Sequence, residues 1–160
     1  MRRPLFVLAL LAIVAAALPR TGFAKAKWPS SGSRSSQASR VQKLARRVVV
    51  YARHQVGVAY SWGGASPAAG FDCSGLVYAA YRSIGWRIPR SSWDQLRAGR
   101  SVRFARLRPG DLLFTEGGGH VQLVVSKRSA VSAPQTGGRV RYVPLASLRP
   151  EFAGARRLLK

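Results

Sequence analysis

The apolar residues of this chain change their spacing at Pro109-Gly110, and that change limits the fold class more than any other feature. Before it, Val41, Leu44, Ala45, Val48, Ala52 and Val56 recur at helical spacing and make one apolar face that ends near Gly57. A second helix is expected from Cys73 to Tyr81, stopped near Gly85, and a shorter one from about Ser91 to Ala98. Beyond the Pro-Gly turn the pattern shortens into runs that read as strands: Asp111 to Thr115, His120 to Ser126, Ala130 to Ala133, Arg139 to Val143, and a last one near Arg156 to Leu159. Helices followed by a series of short strands imply an α+β domain, N-terminal helices packed on an antiparallel sheet.

Residues 1–26 read as a signal peptide. Arg2 and Arg3 give a positive start, Leu5 to Leu18 is an uncharged apolar run, and Ala24-Lys25-Ala26 is a small-x-small pattern with cleavage expected after Ala26. The run is shorter than the roughly 20 apolar residues of a membrane span, so no stable membrane anchor is expected. Export to a periplasm or to the cell exterior follows. Residues 27–40 are rich in serine and basic residues with almost nothing apolar, and are expected to form a flexible linker. Residues 41–160 then suffice for one compact domain and no second one.

Charge bears on partners. The 160 residues carry 27 basic and five acidic side chains, a formal net charge of +22. Such an excess draws a chain to polyanions, and for an exported protein anionic envelope polymers come first. The basic residues are dispersed, with no aromatic-interleaved stripe of the kind that stacks bases, so nucleic acid is not expected. A solvated, arginine-rich surface accounts for the same residues equally well.

The chain has one cysteine. In an exported protein it cannot be half of an internal disulfide, which leaves nucleophilic catalysis as the leading explanation and a small buried structural thiol as the other. Asp72 is a good N-cap, so Cys73 falls in the first turn of its helix, where unpaired N–H groups and the positive dipole end favour thiolate. A cysteine nucleophile needs a base, and there are two histidines. His54 lies off the apolar stripe of the first helix, in register with Lys43 and Arg47, and is expected to face solvent. His120 follows Gly117-Gly118-Gly119 and opens the apolar strand Val121 to Val125, where a helix N-terminus can meet its imidazole. No second histidine, cysteine or carboxylate pair accompanies it, so a zinc site is not expected.

Five segments then fall into a familiar order: Tyr60-Ser61-Trp62-Gly63-Gly64, Phe71-Asp72-Cys73-Ser74-Gly75-Leu76-Val77, Pro89-Arg90-Ser91-Ser92, Leu107-Arg108-Pro109-Gly110-Asp111-Leu112-Leu113-Phe114 and Gly119-His120-Val121. In these the chain resembles the NlpC-type cell-wall peptidases, papain-like cysteine enzymes that cut peptidoglycan stem peptides, over about Val48 to Leu158. The resemblance implies a papain-like fold, Cys73 as nucleophile and His120 as proton carrier. It implies hydrolysis through an acyl-enzyme, typically between D-glutamate and the diamino residue of the stem, with no metal or organic cofactor called for. The backbone N–H of Cys73 would stabilise the oxyanion, with the Tyr60 hydroxyl near the sulfur. Asp72 and Ser74 match positions that help hold the stem peptide; Asp72 reads equally as the helix cap alone.

One position departs from the family pattern. The residue that orients the histidine is usually His, Asn or Gln, and here Ser132 stands in that place. Its hydroxyl can accept from the imidazole but carries no full charge. Gln122, two residues past His120 on the same strand face, is an alternative orienter, as is a backbone carbonyl. Two other functions stay open on sequence: a non-catalytic wall-binding protein of the same fold, and an amidase or acyltransferase using the same Cys-His pair.

Overall fold

The computed structural model describes residues 31–160, and the expected signal peptide lies outside them. Four helices are present among the described residues: α1 (Ser31–His54), α2 (Cys73–Arg82), α3 (Ser92–Arg97) and α4 (Leu145–Leu148). A two-stranded ribbon, β1 (Ala65–Ser66) with β2 (Gly70–Phe71), precedes α2. The main sheet has six strands, β3 (Arg100–Ser101), β4 (Leu112–Thr115), β5 (His120–Val124), β6 (Ser129–Ser132), β7 (Arg141–Pro144) and β8 (Gly154–Arg157). They pair antiparallel in the order β3-β8-β4-β5-β6-β7. The expected α+β class is the observed one. Apart from α1, the expected helices and strands fall within a few residues of their places; the ribbon, β3 and α4 carry no sequence signal of their own, being two to four residues long.

Helix α1 differs from its expectation at both ends. It begins at Ser31, so residues 31–40 are helical where a flexible linker was expected. No proline or glycine interrupts Ser33 to Arg40, and once a helix is nucleated each further residue adds one hydrogen bond. Residues 34–40 are exposed. At the other end the helix stops at His54, and Val56, placed on the apolar face by its spacing, is 39% exposed because the chain turns away through Gly57 at φ +94°. The residues that do pack are Val48, Val49 and Ala52, with Val41, Leu44 and Ala45 half-buried beside them. Among the described residues no helix is long and apolar enough to cross a membrane.

The sheet buries its two faces separately. Leu112, Phe114, Val121, Leu123, Val125 and Val131 face α1 and α2, where Leu76, Val77, Ala80 and Tyr81 complete the main core. Leu113, Val124 and Ala130 face the other way, against Leu145, Phe104 and Phe152. The alternation is the two-residue period of a strand covered on both sides.

The Pro109-Gly110-Asp111 turn ties the layers together. Gly110 takes φ +94° and lies close to Ala45 of α1, and its carbonyl accepts from the Tyr81 hydroxyl at 2.6 Å. The fully buried Asp111 carboxylate accepts from Arg157 Nε and Nη2 of β8, each at 2.6 Å, and from the Arg108 backbone N–H at 2.8 Å. Removing one partner of a buried ion pair leaves the other charge uncompensated, at a cost of about 3 kcal/mol or more. Arg157→Met should therefore lower unfolding free energy by about that amount, read from the midpoint of urea denaturation at constant slope.

Candidate active site

Three of the motif segments converge on one carboxylate. Asp72 adopts the extended backbone of an N-cap and accepts from the Gly75 N–H at 2.6 Å, which starts α2 at Cys73. It also accepts from the Gly63 N–H (3.0 Å), from Ser74 Oγ (3.2 Å), and from Arg90 through Nη1 (2.9 Å) and Nη2 (2.7 Å). Arg90 bonds Ser74 Oγ (2.9 Å) and the Gly64 carbonyl (3.2 Å) as well. Burial by itself would raise this carboxyl, but the Arg90 guanidinium and the Gly75 N–H outweigh it and hold Asp72 below the usual carboxylate range.

Two glycines of these segments, Gly64 and Gly75, are required by close backbone approach. A Cβ on Gly75 would run into the Gly64 carbonyl, and one on Gly64 into the Gly70 carbonyl. The loop holding Tyr60 is thus pressed against the first turn of α2. Tyr60 is half-buried there, its backbone N–H donating to the Gly138 carbonyl at 2.9 Å. Burial raises its phenol first, and the nearby Cys73 and Asp72 charges raise it further.

Strand β5 brings the histidine. The turn from β4 passes through Gly117 (φ +64°) and Gly118 (φ +113°), and the ring of Trp93 and the side chain of Leu96 lie where Gly118 would otherwise carry a Cβ. Ser92 Oγ donates to the Gly119 carbonyl at 3.1 Å, and the Cys73 thiol points at the same oxygen, 4.0 Å away. The sulfur also lies within reach of the Val121 N–H, so it sits against the backbone on both sides of His120. His120 Nε2 is 2.9 Å from Ser132 Oγ on the neighbouring strand β6. Ser132 is buried. The other expected orienter, Gln122, is also buried and spends its amide N–H on Thr115 Oγ1 at 3.1 Å.

Each of the expected site residues, Cys73, His120, Ser132, Tyr60, Asp72 and Ser74, therefore lies in one cluster at one end of the sheet. His54 is exposed. Arg90 and Ser92 lie within a motif of the sequence, but their roles are visible only in the structure. A lone carboxylate beside a cysteine implies a cation somewhere, and Pro89-Arg90 was the signal for it. Gln95 carried no signal; fully buried on α3, it donates to the carbonyls of Ser74 (3.1 Å) and Pro89 (2.9 Å). Among the described residues no group of three or more histidine, cysteine or acidic side chains is placed to hold a metal ion.

The electrostatics reverse one expectation. Burial pushes the Cys73 thiol up, and the Asp72 charge adds to it; the N–H groups of Val121, Ser74 and Cys73 itself pull down as a helix start should, but do not win. Burial lowers His120, against the weaker pull of Glu116 and Glu151. Near neutral pH the resting pair is a thiol beside a neutral imidazole.

The family model described as the NlpC/P60 family matches residues 57–156. Murein DD-endopeptidase MepH of Escherichia coli is 35% identical over 146 residues, covering 84% of this chain and 54% of that protein. Peptidoglycan endopeptidase RipB of Mycobacterium tuberculosis is 40% identical over 127 residues, 68% of this chain and 53% of its own length. A gamma-D-glutamyl-L-lysine dipeptidyl-peptidase of Bacillus subtilis is 40% identical over 96 residues, 56% of this chain and 32% of that one. The chain thus spans about half the length, or less, of these curated relatives. The crystal structure of RipB superposes with a TM-score of 0.70 at 32% identity, covering 82% of this chain and 73% of that one. A RipA structure does so at 0.69 and 27%, covering 76% and 65%. Solved RipA variants change a cysteine, a histidine and a glutamate twelve residues beyond the histidine, the same separation as His120 and Ser132.

The neutral pair predicts a particular alkylation profile. The rate of iodoacetamide labelling of Cys73 should climb with pH through and beyond the ordinary thiol value of about 8.5, with no plateau at lower pH. Labelling followed by mass spectrometry from acid to alkaline pH checks this. A plateau below neutrality would reveal a thiolate-imidazolium pair instead.

Proposed function

The chain belongs to the NlpC/P60 family, and we propose that it is a cysteine peptidase hydrolysing the stem peptides of peptidoglycan through an acyl-enzyme. One observation carries the reading: Cys73 Sγ lies against the backbone flanking His120, whose Nε2 is held at 2.9 Å by a buried hydroxyl. A wall-binding protein without chemistry has no use for that cluster.

In this mechanism Nε2–H donates to Ser132 Oγ, which leaves Nδ1 unprotonated and free to act as the base. As the sulfur attacks the amide carbonyl, His120 Nδ1 takes the thiol proton and an S–C bond forms. The oxyanion accepts from the Cys73 backbone N–H, with the Tyr60 hydroxyl alongside. Collapse breaks the C–N bond, and the imidazolium returns its proton to the leaving amine. Water then attacks the thioester, His120 again taking a proton, and the thiol is regenerated. Because the thiol is not ionised at rest, proton removal belongs to the attack step, and His120 is needed as a base rather than only as a counter-charge.

The bond proposed is that between D-glutamate and the diamino residue, the bond named in the Bacillus subtilis relative. The name of MepH supports a second reading, a D,D bond, over a larger share of this chain. Export through residues 1–26 would deliver the enzyme to either substrate. Mass spectrometry of purified muropeptides incubated with the protein distinguishes the two by the mass of the released fragment. Absence of any cleavage would refute both.

Cys73→Ala should abolish that cleavage in a folded protein, and His120→Ala should remove at least about a hundredfold. Ser132→Ala loses one neutral hydrogen bond, worth about 0.5 to 1.5 kcal/mol, so turnover should fall by about two- to twelvefold. An unchanged rate in steady-state kinetics on one defined muropeptide would remove Ser132 from the mechanism.

A further inference from the structure

A groove of about 810 Å³ lies away from the Cys73 cluster, between three segments. They are the turn Phe104–Leu107, the Lys127-Arg128 turn that joins β5 to β6, and Pro144–Arg149. Strand register fixes where it sits. Thr115 pairs with His120 and Ser132 with Arg141 at the end of the sheet that holds the imidazole, whereas Ser129 pairs with Pro144 at the other. A strand rises about 3.3 Å per residue, so groove and imidazole are separated by roughly 15 to 20 Å along β5 and its turn.

The floor is apolar. Phe104 and Leu107 pack half-buried against the buried Leu145, and Phe104 meets Phe152 edge-on at 5.2 Å. The rim is cationic: Lys127, Arg128 and Arg149 are exposed, and no acidic residue lines the groove. Glu151, next but one to Arg149, is not among the lining residues. The Arg149 guanidinium stacks over Phe104, 5.8 Å from the ring centroid, so the charge stands directly above the apolar floor. Ion pairs among the described residues are Arg90–Asp72, Arg97–Asp94 and Arg157–Asp111, and none reaches this rim. With 27 basic residues against five acidic ones, the chain has few carboxylates to offer as counter-charge.

We propose that this groove binds an anionic membrane lipid, its phosphate on Arg128, Arg149 and Lys127 and the start of an acyl chain on Phe104, Leu107 and Leu145. Charge complementarity calls for an anion, and the floor selects an amphiphile over a water-soluble polyanion. A polyanion would be satisfied by the rim and leave the apolar surface wet. Lipid bound at this end of the sheet leaves the Cys73 cluster at the other end unobstructed.

The test is calorimetric titration of the full chain at fixed ionic strength with three probes: dihexanoyl phosphatidylglycerol kept below its micelle concentration, dihexanoyl phosphatidylcholine, and glycerol phosphate. The first should bind saturably and at least tenfold more tightly than the other two. Arg128→Glu with Arg149→Glu should weaken it at least tenfold, while Arg46→Glu with Arg47→Glu, an equal charge change on the exposed side of α1, should alter it less than twofold. Equal binding of glycerol phosphate would mean recognition by charge alone, and equal binding of phosphatidylcholine would mean an apolar site without charge recognition. Either result, or wild-type affinity in the Arg128/Arg149 variant, overturns the proposal.

Discussion

One ionised carboxylate organises the site end of this protein. Asp72 accepts from Gly63, Gly75, Ser74 and both terminal nitrogens of Arg90, and in doing so fixes three stretches of chain that are far apart in sequence. The start of α2, the loop carrying Tyr60 and the segment leading into α3 all hang on it. The donors are the Arg90 guanidinium, two backbone N–H groups and the Ser74 hydroxyl, so the position of the Cys73 sulfur is set by short, directional bonds as well as by packing. Arg90 keeps the carboxylate ionised although burial works against it.

The same arrangement sets the chemistry. A negative charge one residue before Cys73 opposes thiolate formation, and burial opposes it more strongly. Ser132 offers His120 a lone pair and no charge, and the nearest influence of opposite sign comes from Glu116 and Glu151. In the proposed mechanism the site therefore stores no ion pair at rest: one imidazole tautomer is held by Ser132 and the charges form in the attack step.

The antiparallel sheet separates this cluster from the basic groove. Strands β4 to β7 run between two ends, with His120, Thr115 and Ser132 at one and the Lys127-Arg128 turn and Pro144 at the other. The Asp111–Arg157 pair holds β4 to β8 between them. Chemistry and the proposed lipid contact can therefore use one small domain without competing for surface.

Much of this was legible in the chain itself. The change of apolar period at Pro109-Gly110 determined the order of helices and strands, since periodicity follows directly from which side of an element is buried. The single cysteine after a capping aspartate, and one histidine at a strand start, left few candidates for the reacting groups. The identity of the glycines foretold tight turns, but not that Gly64 and Gly75 face each other across a loop and a helix. What the tertiary structure alone decided are the quantities that depend on neighbours distant in sequence. Arg90 becomes the partner of Asp72, Ser132 rather than Gln122 meets the imidazole, and Lys127, Arg128 and Arg149 gather over Phe104. The thiol's preference also turned from charged to neutral, because helix-start N–H groups are written locally in the sequence, whereas desolvation is the sum of everything that packs around the sulfur.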